Sequence, residues 1–206
     1  ENLMKLYSTT GAPNPRRVRI FLAEKDIDVP IQELSIMEAE HKTEEYRKIS
    51  PSSRVPALVL DDGTVILESV AICRYFELLN PDPALFGKTE LEQAIVEMQS
   101  RRMEMELMMS VAGTFRHTHP AFSELENQIP EFGNAQKKIA EKRLNLLNKE
   151  LEDQEFIAGS NYSIADITAL CAIDFCVPAR IEISEDYEHL QRWIKAVKSR
   201  PSSEIM

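Results

Sequence analysis

The sequence changes its pattern near residue 84. Before it, short apolar runs alternate with one-face helical stripes; after it, only helical periodicity remains. Residues 4–7 (MKLY) form a strand-like run closed by the turn formers of 8–15. Asn14 reads as an N-cap with Pro15 at the first helical position, and Val18, Ile20, Phe21 and Leu22 continue as an apolar stripe to about Lys25. Residues 30–34 (PIQEL) return as a strand, which predicts a parallel βαβ unit with a right-handed crossover. After a helix near 42–48, Ala57–Leu60 and Val65–Leu67 flank Asp61-Asp62-Gly63-Thr64, the signature of a hairpin. Ser69 is read as the cap of a helix that ends at Asn80-Pro81-Asp82-Pro83.

Beyond Leu85, helices are predicted over about 89–116, 131–153, 163–176 and 186–199. The fold class expected is α/β followed by all-α, with residues 1–83 as the first domain, 84–90 as a linker and 91–206 as a helical domain. Met4 reads as a natural start, residues 1–3 being additions.

Charge and cysteine usage narrow the partners. Thirty-four acids against 24 bases leave a formal charge of −10, which repels nucleic acid and anionic membrane over most of the surface, so neither is expected as a partner. An anionic ligand therefore needs a local basic pocket. Arg16, Arg17 and Arg19 form one candidate cluster, although a solvated helix face is the commoner meaning of such a run. The apolar stretches are too short and too charged to span a bilayer, and a cytoplasmic location is expected. Cys73, Cys171 and Cys176 form no CxxC pair and read as buried thiols. His117-Thr118-His119 supplies two histidines without an evident third ligand, so no metal is expected.

Val55-Pro56 precedes the run Ala57–Leu60, and a proline at a strand's first residue marks a sharp turn that can carry a cis peptide bond. Val55-Pro56 belongs to a set of three stretches: Glu40-His41-Lys42, then Ser50-Pro51-Ser52-Ser53-Arg54-Val55-Pro56, then Leu67-Glu68-Ser69-Val70-Ala71-Ile72. Together with Phe156-Ile157-Ala158-Gly159 and Tyr162-Ser163-Ile164-Ala165-Asp166, they give the chain a resemblance to the cytosolic glutathione transferases over nearly its whole length. That resemblance implies a thioredoxin-like first domain that binds glutathione as co-substrate, a helical domain that forms the pocket for a hydrophobic electrophile, and a homodimer.

By the same resemblance, Val55 offers its backbone N–H and C=O to the ligand's cysteinyl peptide beside Pro56. Ser69 and the start of its helix seat the γ-glutamyl carboxylate, Glu68 holds the amine, and His41, Lys42 and Arg54 meet the glycyl carboxylate. Catalysis requires the ligand's thiol, near pKa 8.5 when free, to be held as thiolate; lowering it by one or two units takes only about 1.4 to 2.7 kcal/mol. The serine site of the plant-type pattern falls near Ala12, which has no donor, so Asn14 and then Thr10 are the expected partners of the sulfur. Ala12-Pro13-Asn14 is similar to a bacterial branch with Thr-Pro-Asn, in which disulfide reduction competes with conjugation. Three readings stay open: a transferase serving detoxification; a glutathione-dependent disulfide reductase on the same scaffold; and a non-enzymatic interaction module.

Overall fold

The computed structural model describes residues 4–206; residues 1–3, read above as additions, lie outside the described residues. Two compact units result, one ending at Ala84 and taking in Glu204–Met206, the other Leu85–Ser203.

The first unit is a four-stranded sheet of order β2-β1-β3-β4, built from β1 (Lys5–Ser8), β2 (Ile31–Glu33), β3 (Ala57–Val59) and β4 (Val65–Leu67). β1 runs parallel to β2, as the strand, helix, strand pattern requires, and antiparallel to β3. Leu6, fully buried, pairs with Ile31 on one side and Leu58 on the other. The hairpin β3–β4 turns on Gly63, whose φ of 85° suits a residue without Cβ, and Thr64 N–H is held by Asp62 Oδ1 at 2.8 Å. Helices α1 (Pro13–Glu24) and α3 (Ser69–Leu79) pack on each other, and Val18, Phe21, Ile72 and Phe76 are among their buried residues. Tyr7, on the opposite pleat to Leu6, meets Tyr46 of α2 (Glu44–Ile49) with ring centroids 5.5 Å apart. Lys25, just past α1, buries its ammonium against Glu77 at 2.5 Å and the carbonyls of Asn80 and Pro83 at 2.6 and 2.7 Å, which ties the helix ends together.

Three expectations change in detail. Ala12, not Asn14, is the N-cap of α1, so the helix starts at Pro13 and Asn14 lies inside its first turn. Ser69 is the first residue of α3, with Glu68 in the cap position. Nor do the arginines make a solvated face: Arg16 and Arg17 are buried, and Arg16 Nε–H donates to Ile205 O at 2.6 Å.

The second unit is helical. The predicted long helix is α4 (Glu90–Arg102) and α5 (Met109–Thr118) joined without a break by a π-helical segment Met103–Met108, followed by α6 (Pro130–Glu150), α7 (Ile164–Phe175) and α8 (Glu188–Lys198). α7 is its axis, with every residue from Ile164 to Ile173 buried. Gly133 lets α6 approach α5, since a Cβ there would stand 2.6 Å from Thr118 Cγ2. The two histidines at the end of α5 have local structural work: His117 Nδ1 accepts from Ile129 N–H at 3.0 Å and His119 Nδ1 from Ala121 N–H at 3.2 Å. No described helix is long and apolar enough to cross a membrane.

Candidate functional site

A groove in the first unit is lined by Asn14, Ser50, Ser52, Arg54, Val55, Pro56, Leu67, Glu68 and Ser69. Each comes from a terminus of an element: the start of α1, the loop between α2 and β3, and the passage from β4 into α3. Such places leave backbone groups unpaired and hence available.

Val55-Pro56 is a cis peptide. Immediately before it the chain is clamped, because the Tyr46 and Ser50 hydroxyls donate to Arg54 O at 2.8 and 3.0 Å and Arg54 N–H donates to Ser50 Oγ at 3.1 Å. Burial pushes the Tyr46 phenol up to about 12, so it stays a donor at neutral pH. With Arg54 fixed on both sides of its backbone, Val55 is presented in one orientation. Among the described residues neither Val55 N–H nor Val55 C=O has a hydrogen-bond partner. A free donor and acceptor on one residue at the mouth of a strand are what an added extended chain would pair with.

At the other end of the groove Glu68 holds φ 70° and ψ 119°, an arrangement that costs a non-glycine residue about 1–3 kcal/mol. Ser69, the first residue of α3, lines the groove beside it, at a helix start whose N–H groups favour an anion. Glu68→Gly is expected to gain about 1 kcal/mol of stability, read as a higher urea midpoint at unchanged slope. No gain would mean that the backbone is unstrained there.

Asn14 closes the groove from α1. Because Pro13 and Pro15 carry no N–H, Asn14 is the only one of the first three helical residues with a backbone donor. Both that N–H and its side-chain amide are without a protein partner among the described residues. The Arg54 guanidinium is the cation on the groove wall and likewise has no acidic partner among the described residues.

Three of the residues expected at the site are elsewhere. Thr10 faces a separate apolar hollow with Leu22, Ile27, Val29 and Ile31, and its hydroxyl is engaged, donating to Glu33 Oε1 at 3.0 Å and accepting from Arg19 Nη1 at 3.2 Å. His41 and Lys42 lie in a helical turn Glu40–Lys42 and are not among the groove-lining residues. His41 is buried, which together with the Lys42 charge holds its imidazole below the ordinary 6.5 and hence neutral at pH 7. Ser50, Ser52 and Tyr46 have no role assigned from sequence, and Arg17 is named there only as part of the candidate basic cluster. Arg17 Nη1–H donates to Ser69 Oγ at 2.8 Å from a fully buried position.

Residues 12–79 match the family profile described as glutathione S-transferase, N-terminal domain, and residues 105–201 that of the C-terminal domain. Glutathione S-transferase 2 of Saccharomyces cerevisiae is 36% identical over 203 residues, covering 97% of this chain and 87% of that protein. A disulfide-bond oxidoreductase of Escherichia coli is 26% identical over 198 residues, covering 93% and 88%. The crystal structure of a glutathione S-transferase domain-containing protein from Marinobacter aquaeolei superposes with a TM-score of 0.93 at 39% identity, covering 97% of this chain and 99% of that one. A groove that offers free backbone pairing beside a cis-proline, at the start of a helix and within this two-unit order, thus goes with sequence agreement along both units, and the chain belongs to the glutathione S-transferase family.

Proposed function

We propose that this protein is a glutathione transferase that binds the tripeptide in the groove of its first unit, stabilises the thiolate, and directs it at a hydrophobic electrophile. The observation that carries the reading is Val55, with both backbone groups unpaired on the groove wall. In this reading Val55 and Pro56 pair with the cysteinyl peptide. Ser69 and the α3 amides take the γ-glutamyl carboxylate, Glu68 the amine, and Arg54 the glycyl carboxylate, which His41 and Lys42, outside the groove lining, are proposed to meet as well. Asn14 is the group proposed to face the sulfur. Thr10, with its hydroxyl spent on Glu33, is given no part in the chemistry.

Ser69→Ala is expected to weaken glutathione binding about tenfold by titration calorimetry, since one hydrogen bond to a charged group is lost. Unchanged affinity would remove the carboxylate assignment.

A homodimer is part of the proposal. Its support is an apolar stripe at heptad spacing, Leu91, Met98 and Met105, left 70%, 50% and 64% exposed on the α4 and π-helical stretch. A cytoplasmic location is supported by Cys73, Cys171 and Cys176, which are buried and joined in no disulfide among the described residues.

The second reading, a glutathione-dependent disulfide reductase, is favoured by Asn14, since an amide and not a serine or tyrosine hydroxyl faces the groove from α1. Turnover of a chloronitrobenzene against that of hydroxyethyl disulfide separates the two reactions.

A further inference from the structure

Five of the chain's eight methionines lie between residues 98 and 109. The helix sorts them by exposure. Met103 and Met108 are 0% and 4% exposed, whereas Met98, Met105 and Met109 are 50%, 64% and 60% exposed. Met105 follows Met98 by seven positions and Met109 follows Met105 by four, spacings that keep the three thioethers on one face across α4, the π-helical segment and the first residue of α5. All three cysteines are buried, which leaves methionine as the exposed sulfur of the chain. A thioether is apolar, yet a peroxide converts it to a sulfoxide, which is polar and accepts hydrogen bonds. The face that carries these sulfurs can therefore change from apolar to polar without any change of sequence.

We propose that Met98, Met105 and Met109 form a peroxide-sensitive modification site whose oxidation to sulfoxides separates the homodimer. The inference rests on the homodimer reading, in which a second copy covers this face. At each site the thioether sulfur attacks one oxygen of hydrogen peroxide: the S–O bond forms as the O–O bond breaks, and the proton of the transferred hydroxyl passes to the departing hydroxide, giving one water. Sulfur is oxidised by two electrons and the peroxide is reduced by two. A sulfoxide oxygen buried in an apolar interface has no donor, whereas in the separated chain water supplies one. Association and oxidation therefore oppose each other, and by linkage the covered sulfurs must react more slowly than the uncovered ones.

The test treats the full chain with excess hydrogen peroxide over a series of protein concentrations, follows each sulfur by peptide mass spectrometry, and measures self-association by sedimentation velocity. The three stripe sulfurs should oxidise about tenfold more slowly well above the dimer Kd than well below it. Met37, 64% exposed and outside the helical unit, is the internal reference and should react at one rate throughout. With the stripe converted to sulfoxides, the dimer Kd should rise about 10- to 100-fold, and methionine sulfoxide reductases of both epimer specificities with dithiothreitol should restore it within about threefold. The triple variant Met98→Leu, Met105→Leu, Met109→Leu keeps apolar side chains of similar volume, and its association should stay within about threefold of the unmodified chain and ignore peroxide. Should the leucines themselves weaken association, reversal by the reductases decides alone. A dimer that persists with all three sulfurs oxidised, or stripe sulfurs that react at one rate at every concentration while a dimer forms, overturns the proposal and leaves the homodimer intact. A chain that stays monomeric at every concentration overturns both.

Discussion

Asn14→Ala is expected to lower kcat for conjugation about 10- to 100-fold and to leave the glutathione Kd within about threefold. The argument runs from the helix start. Pro13 and Pro15 remove two of the donors that a first turn normally offers, leaving the Asn14 backbone N–H and its side-chain amide as the donors that α1 turns toward the groove. A developing thiolate gains from each donor aimed at it, and deleting one such donor in other enzymes costs about 10²–10³ in rate. The alanine keeps the backbone N–H, so a loss at or below the lower bound of that range is expected. The pH profile of kcat/KM for the electrophile at saturating glutathione, which reports the ionisation of the bound thiol, should move upward by about one unit. Asn14→Asp should be worse than alanine, since a carboxylate beside the sulfur disfavours a second negative charge. An unmoved pH profile in both variants would show that the sulfur is held by something other than Asn14.

What could be read from sequence, and what could not, divides by range. The parallel βαβ unit, the Asp-Gly hairpin and the Ser163 capping box are set by period, turn chemistry and residues within a few positions of each other, and all are present. The cap of α1 was misplaced by two residues because Pro13 and Pro15 are equally suited to a helix start, and Ala12 takes the cap conformation, φ −99° and ψ 138°, with no side-chain bond to announce it. Arg17 looked like part of a solvated face because its partner, Ser69, is 52 residues away and no local pattern ties the two. Thr10 was drawn off by a similar long-range partner, Glu33 on the parallel strand β2. The π-helical segment Met103–Met108 has no local sequence signal beyond a run of good helix formers.

Asp166→Ala is expected to destabilise the helical unit by about 3–5 kcal/mol, the largest stability effect of any single change argued for this chain. The carboxylate is fully buried at the start of α7. Its Oδ1 accepts from Ile157 N–H at 3.0 Å and from the Trp193 indole at 2.8 Å; its Oδ2 accepts from Ser163 N–H at 2.9 Å and from the Ser163 hydroxyl at 3.1 Å. One residue thus joins the Phe156–Gly159 turn, the cap of α7 and α8, and alanine would leave four buried donors without an acceptor. Two influences on the acid oppose each other. Burial raises its pKa from 3.8 to about 6, while the four donors pull the other way and do not fully compensate. The folded state then binds the proton more tightly than the unfolded state, so this group's stabilisation is fully present below pH 4 and declines as pH rises through about 6. Asp166→Asn cannot titrate and serves as the reference. The stability gap between the unmodified protein and Asp166→Asn, from urea unfolding followed by Trp193 fluorescence, should narrow by up to about 3 kcal/mol between pH 4 and pH 7. A gap that widens over that interval would mean that the donors outweigh burial and hold the carboxyl below its unfolded value, reversing the assignment of which influence governs this site.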